Sequence, residues 1–125
     1  MLSENFFKVI QHEGVVSVTS WGSGETPHVR CTWNSFLRIT DDERILAPIA
    51  GFTSVQEDMV KNDNVILTLG SREVEGFNGY QGTGFLIEGR ARFLDTGDEF
   101  DRMKEDYPFM NKLLEVTVES QKQLL

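Results

Sequence analysis

The sequence predicts a mainly β protein: a small closed antiparallel barrel of six strands with two or three short helices. Three observations carry that expectation. Runs rich in β-branched and aromatic residues recur at short intervals, separated by Gly, Pro, Asp and Asn. Their spacing suits hairpins rather than strand–helix–strand crossovers. Between Thr68 and Gly89, two apolar runs flank a loop carrying Gly76, Gly79, Gly82 and Gly84. Such a loop suits a wide hairpin, or a place where another group comes close to the backbone. Closure follows because a barrel leaves no exposed strand edge.

The elements follow in order. Residues 3–13 suit a helix capped by Ser3 or Asn5 and stopped by Gly14, with Phe6, Phe7, Val9 and Ile10 on its apolar face. Val15 to Trp21 is the first strand. Gly22 to Pro27 has the composition of a turn, and His28 to Thr40 forms the partner strand. Asp41-Asp42-Glu43 turns the chain into a third strand, Arg44 to Ile49, which Pro48 ends. A helix follows from about residue 53 to 62, with Thr53 or Ser54 as cap and Gln56 or Glu57 placed for a capping box. Val65 to Ser71 and Gly84 to Asp95 are the fourth and fifth strands. Residues 97–107 resemble an amphipathic helix, and Lys112 to Ser120 is the last strand.

At 125 residues the chain has the size of a single domain spanning 1–125, with no repeat or linker. Its formal charge of −8 argues against a nucleic-acid-binding face, which needs a basic stripe, and disfavours anionic membranes. Cys31 is the only cysteine, so neither an intrachain disulfide nor a cysteine metal cluster can form. Lying mid-strand without a local activator, it reads as a buried, inert thiol. The first residues lack a signal peptide's basic start and apolar run. No apolar segment approaches the roughly 18 residues of a membrane span. A reducing, cytoplasmic setting is expected.

Catalytic machinery is sparse. His12 and His28 are the only histidines and fall in different elements, so no metal site is expected. No G-x-S-x-G elbow occurs, and Gly82-Thr83-Gly84 precedes a strand where nucleotide-binding loops open a helix. No catalytic residue is assigned; redox work would require an organic cofactor. The segment from Ile49 to Asp58 offers a loop feeding a helix N-terminus, where a phosphate finds N–H donors and a partial positive charge. Thr53 and Ser54 either add donors there or simply cap the helix. Arg30 alternates with Thr32 and Asn34 and brings a positive charge, while Cys31, Trp33 and Ser35 face the other way. Trp33 and Phe36 present flat surfaces suited to an aromatic ligand or to core packing.

Thr32-Trp33-Asn34-Ser35-Phe36, Pro48-Ile49-Ala50-Gly51, Leu69-Gly70-Ser71-Arg72 and Gly82-Thr83-Gly84-Phe85-Leu86-Ile87 together resemble the pyridoxamine-phosphate-oxidase-like split-barrel flavoproteins. The similarity runs in register from Phe6-Phe7 and Glu13-Gly14-Val15-Val16 to Leu125. It implies a six-stranded split β-barrel, a homodimer, and one FMN per subunit near the dimer interface. By the same resemblance, Cys31, Thr32 and Trp33 border the isoalloxazine and ribityl chain. Pro48, Ile49, Ala50 and Gly51 run beside the ring, offering backbone N–H and C=O groups. Thr83 and Gly84 lie where the glycine-rich loop closes on the cofactor. Phe109 and Leu125 match apolar positions laid over the flavin by the partner subunit, and Glu13 matches a nearby carboxylate.

One position departs from the pattern. Relatives carry a Lys-Thr pair at the start of the second helix to grip the phosphate, and here Ser54-Val55 replaces it. Losing a charge-assisted hydrogen bond costs about 1.5–3 kcal/mol, roughly ten- to hundred-fold in affinity. Arg30, Thr53, Ser54 and the helix dipole are the available substitutes. The implied function is a small FMN-binding electron-transfer protein. Two alternatives stand beside it: a flavin-dependent reductase or oxidase of a small substrate, and a split-barrel dimer that has lost flavin and binds another ligand.

Overall fold

The computed structural model describes residues 1–24 and 26–125; Glu25, inside the predicted 22–27 turn, lies outside them. Helix α1, Glu4–Val9, is shorter than expected and is capped by Ser3, whose Oγ accepts from the Phe6 amide at 3.2 Å. Strands β1 (Val15–Ser20), β2 (His28–Trp33), β3 (Arg38–Ile39) and β4 (Arg44–Ile49) lead to α2 (Thr53–Lys61). Then come β5 (Asn64–Glu75), β6 (Gln81–Leu94), α3 (Asp98–Asp106) and β7 (Lys112–Gln123).

Among the described residues there are seven strands, not six. The single strand expected over 28–40 is interrupted by a 3-10 turn at Asn34–Phe36. Asn34 causes the break. Its side chain is fully buried, and Nδ2 donates to His12 O at 3.0 Å and Gly70 O at 3.1 Å. Its own amide donates to Gly14 O at 2.8 Å. These bonds draw the backbone inward and out of the ladder.

Every strand pair is antiparallel, in the order β2-β1-β5-β6-β7-β4-β3. The sheet curls into a half-barrel rather than the hydrogen-bonded ring expected, with β2 and β3 as its two edges. Those edges are consecutive in the chain, so the 34–36 turn links one margin to the other. Alternation decides the interior: Val16 and Val18 from β1, and Val65, Leu67 and Leu69 from β5, point inward. Phe6, Val9 and Val55 from the helices plug the concave side. β4 and residues 113–116 of β7 are buried on both faces, the outer one under α3, where Leu46, Met103, Met110 and Leu113 make a second small core. A bulge between Glu88 and Gly89 reshapes the β6–β7 pairing. A Cβ at position 89 would collide with the Thr117 carbonyl oxygen, so only glycine fits there.

Candidate functional site

β4 delivers the chain to the start of α2. Ala50 and Gly51 lie exposed after buried Pro48 and Ile49, and the Ile49 carbonyl already accepts from Asn111 N at 2.9 Å. Neither Thr53 nor Ser54 caps the helix, contrary to the expectation from sequence. The N-cap is Phe52, held in the left-handed region at φ 58 and ψ 33, with no side-chain capping bond. Gln56 forms no capping box; its Nε2 reaches Gly51 O at 2.6 Å. Among the described residues, the Thr53 and Ser54 hydroxyls make no hydrogen bond. No acid occupies the first turn. Thr53 is exposed and Ser54 half-buried at this end, and a Cβ at Gly51 would have nothing within 4 Å. That is the physical requirement for seating an anion: free donors at the positive end of a helix dipole. Val55 is fully buried in the core and points away from the site.

Edge strand β2 lies against α2. His28 Nδ1 meets Asp58 Oδ2 at 2.8 Å, which directs the face shared with Arg30 and Thr32 toward the helix. Thr32 is buried, whereas Arg30 is exposed and has no carboxylate partner among the described residues; its Nη1 donates to Val29 O. Cys31 is exposed, not buried as the sequence suggested. An edge strand has no neighbour to cover its outward residues, so Val29, Cys31 and Trp33 form an open apolar stripe, with Trp33 45% exposed.

A second group gathers around the 34–36 turn. The Glu13 carboxylate accepts from Ser35 Oγ at 2.7 Å and Ser35 N at 3.1 Å. Those two bonds, the hydroxyl's first, hold its pKa below the ordinary carboxylate value. Tyr107 donates its hydroxyl to Ser35 O at 3.1 Å and accepts from Arg38 Nη2 at 2.6 Å. Its ring lies 5.1 Å from Phe36, which lies 5.7 Å from half-exposed Phe109. Thr83 is buried, and its Oγ1 donates to Leu125 O at 2.7 Å, while Leu124 N bonds Gly84 O at 2.8 Å. Leu125 thus returns onto its own chain's Thr83 and Gly84. A cleft of about 400 Å³ opens there, lined by Glu13, Gly70, Arg72, Tyr80, Thr83 and Leu125 among others.

The residues singled out from sequence thus form two regions, the β2–α2 surface and the Glu13–Thr83–Leu125 cleft, joined through Gly14 and Asn34. Sequence reasoning passed over Tyr107 and the His28–Asp58 pair. Tyr107 and Ser35 are 72 residues apart, and His28 and Asp58 are 30 apart. No local pattern signals either contact.

Comparison with known proteins places this geometry. The family model described as pyridoxamine 5'-phosphate oxidase matches residues 2–124. A curated relative, the FMN-binding protein of Nitratidesulfovibrio vulgaris, is 40% identical over 125 residues, covering 100% of both chains. Among solved structures, Group A Streptococcus HupZ superposes with a TM-score of 0.79 at 14% identity, covering 99% of this chain and 94% of its own. An FMN-binding protein from Syntrophomonas wolfei gives 0.63 at 13% identity, covering 90% and 76%. At such identities the structural likeness speaks for the fold alone. The family match spans nearly the whole sequence, and the chain belongs to the pyridoxamine 5'-phosphate oxidase family.

Proposed function

We propose that this chain binds FMN and serves as a small electron carrier, acting in the cytoplasm as a homodimer with one FMN per subunit near the interface. The observation that carries the reading is the open N-terminal turn of α2, with unengaged Thr53 and Ser54 hydroxyls, in a chain so similar to an FMN-binding protein. The first-turn amides, those hydroxyls and Arg30 hold the phosphate. Cys31, Thr32 and Trp33 border the ring and ribityl chain, with Pro48, Ile49, Ala50 and Gly51 along the ring's polar edge. Thr83 and Gly84 close the glycine-rich side. The partner subunit's Phe109 and the partner subunit's Leu125 cover the ring, which accounts for apolar side chains left half exposed on one chain.

When bound, FMN supplies reversible electron transfer; the protein supplies position and electrostatics. Glu13, ionised and tied to Ser35, sets a fixed negative charge at this site. Absorption spectroscopy of the purified protein, with mass spectrometry of whatever copurifies, tests the proposal. Flavin bands that appear on purification or on adding FMN, with sedimentation of a dimer, are expected. A protein that stays colourless in excess FMN overturns it.

The cleft beside Glu13 and Leu125 favours one alternative, a flavin-dependent reductase or oxidase of a small substrate. Steady turnover with NAD(P)H or another small reductant, absent any redox partner, would establish that reading instead.

A further inference from the structure

Helix α2 is thinly anchored. Of its nine residues only Val55 and Asp58 are buried, one apolar and one a carboxylate. Asp58 is 8% exposed, and one of its carboxylate oxygens is doubly engaged. Its Oδ2 accepts from Ser20 Oγ at 2.7 Å and meets His28 Nδ1 at 2.8 Å. Its Oδ1 lies against the Gly22 turn, where an added Cβ would sit only 2.6 Å away. Ser20 is itself fully buried. The carboxyl is held below its ordinary pKa by His28's hydrogen bond first and Ser20's second, with Lys61 of the same helix adding a weaker attraction. A largely buried charge tied to two elements through one oxygen fixes geometry more than it adds stability.

We infer that the Asp58–His28–Ser20 tie is a positioning device for the phosphate end of the site, holding the N-terminal turn of α2 beside Arg30. Two equal steps from the tie make this work. Arg30 lies two strand residues from His28, about 6.6 Å along β2. Ser54 lies one helical turn from Asp58, about 6 Å along α2. On this inference the two steps lead to the same side of the tie, and the guanidinium and the Ser54 hydroxyl share one anion. In a chain without the family's lysine, affinity for the phosphate then depends on how firmly strand and helix are held together.

This inference rests on the FMN reading, and the test separates the two. FMN and riboflavin, which lacks the phosphate, are titrated into the full chain, its Asp58→Ala and His28→Gln variants, and Asp58→Glu as a conservative control. Asp58→Ala is expected to weaken FMN about tenfold while riboflavin changes less than about twofold. His28→Gln, at a half-exposed position, moves the same ratio in the same direction and keeps the test alive if Asp58→Ala does not fold. Asp58→Glu recovers part of the FMN preference. Combined with Arg30→Ala, the Asp58→Ala loss is less than additive, because both disable one contact. Equal weakening of both ligands, or an unchanged FMN-to-riboflavin ratio in both variants, overturns the positioning role while leaving FMN binding intact. A wild-type chain that binds neither ligand overturns both.

Discussion

Glu115 is 6% exposed and sits between two arginines, accepting from Arg44 Nη1 at 2.6 Å and Arg92 Nε at 2.7 Å. Arg44 also grips Glu99 and Asp42, which raises its own already high pKa. Removing Glu115 would leave two cations side by side on β4 and β6. Because Arg92 is mostly in water, the cost falls below that of a fully buried pair: Glu115→Ala should lose about 1–3 kcal/mol in urea unfolding. Asn34 is the other residue with a large share of the fold. Asn34→Ala removes the side-chain bonds to His12 and Gly70 and should cost about 2–3 kcal/mol, at about 0.5–1.5 per bond plus the stranded carbonyls. Its thermal midpoint should drop further than that of the surface substitution Lys122→Ala.

At the level of elements, the strands were legible because their apolar residues alternate in plain sight, as Val65, Leu67 and Leu69 do in β5. The ends of elements were less so. Thr53 and Ser54 have the chemistry of caps, and nothing in the sequence marks Phe52 as the residue that turns left-handed instead. The break inside 28–40 was hidden for a different reason: Asn34 leaves the ladder for partners contributed by the loop after α1 and by β5. Cys31 was read as buried because a strand interior usually is, and only the sheet order reveals β2 as an edge. The phosphate site was readable as a loop feeding a helix, but the chemistry at its rim was not. A prediction belongs here. Ser54→Lys places an ammonium at the helix start and should tighten FMN binding about ten- to hundred-fold. Fluorescence titration against riboflavin as control measures it; an unchanged FMN affinity would mean that the phosphate lies elsewhere.

Across the whole molecule, electrostatics sets two behaviours. Glu13, Asp42, Asp58 and Glu99 all carry carboxyls held below their ordinary values by hydrogen bonds, chiefly to Ser35, Thr40, His28 and Arg44 respectively. A depressed folded pKa contributes stability in full above the unfolded value and surrenders it as pH falls through the folded one. The melting temperature should therefore hold steady from neutral pH to near the ordinary values of 4.5 for Glu and 3.8 for Asp, then fall below them. The second behaviour concerns potential. Adding electrons beside Glu13 in a chain of charge −8 is unfavourable, so bound FMN should be harder to reduce than free FMN. A redox titration showing a clearly raised two-electron potential would contradict that.

The two sheet margins belong to one short stretch of polypeptide, pivoting on Asn34–Phe36. A nick or a loosening at that pivot would bare both rims together, each with unmatched amides and carbonyls ready to recruit strands from other molecules. Protease cleavage at the pivot should thus seed aggregation, whereas a cut in the 76–80 hairpin tip, which belongs to neither edge strand, should leave the protein dispersed.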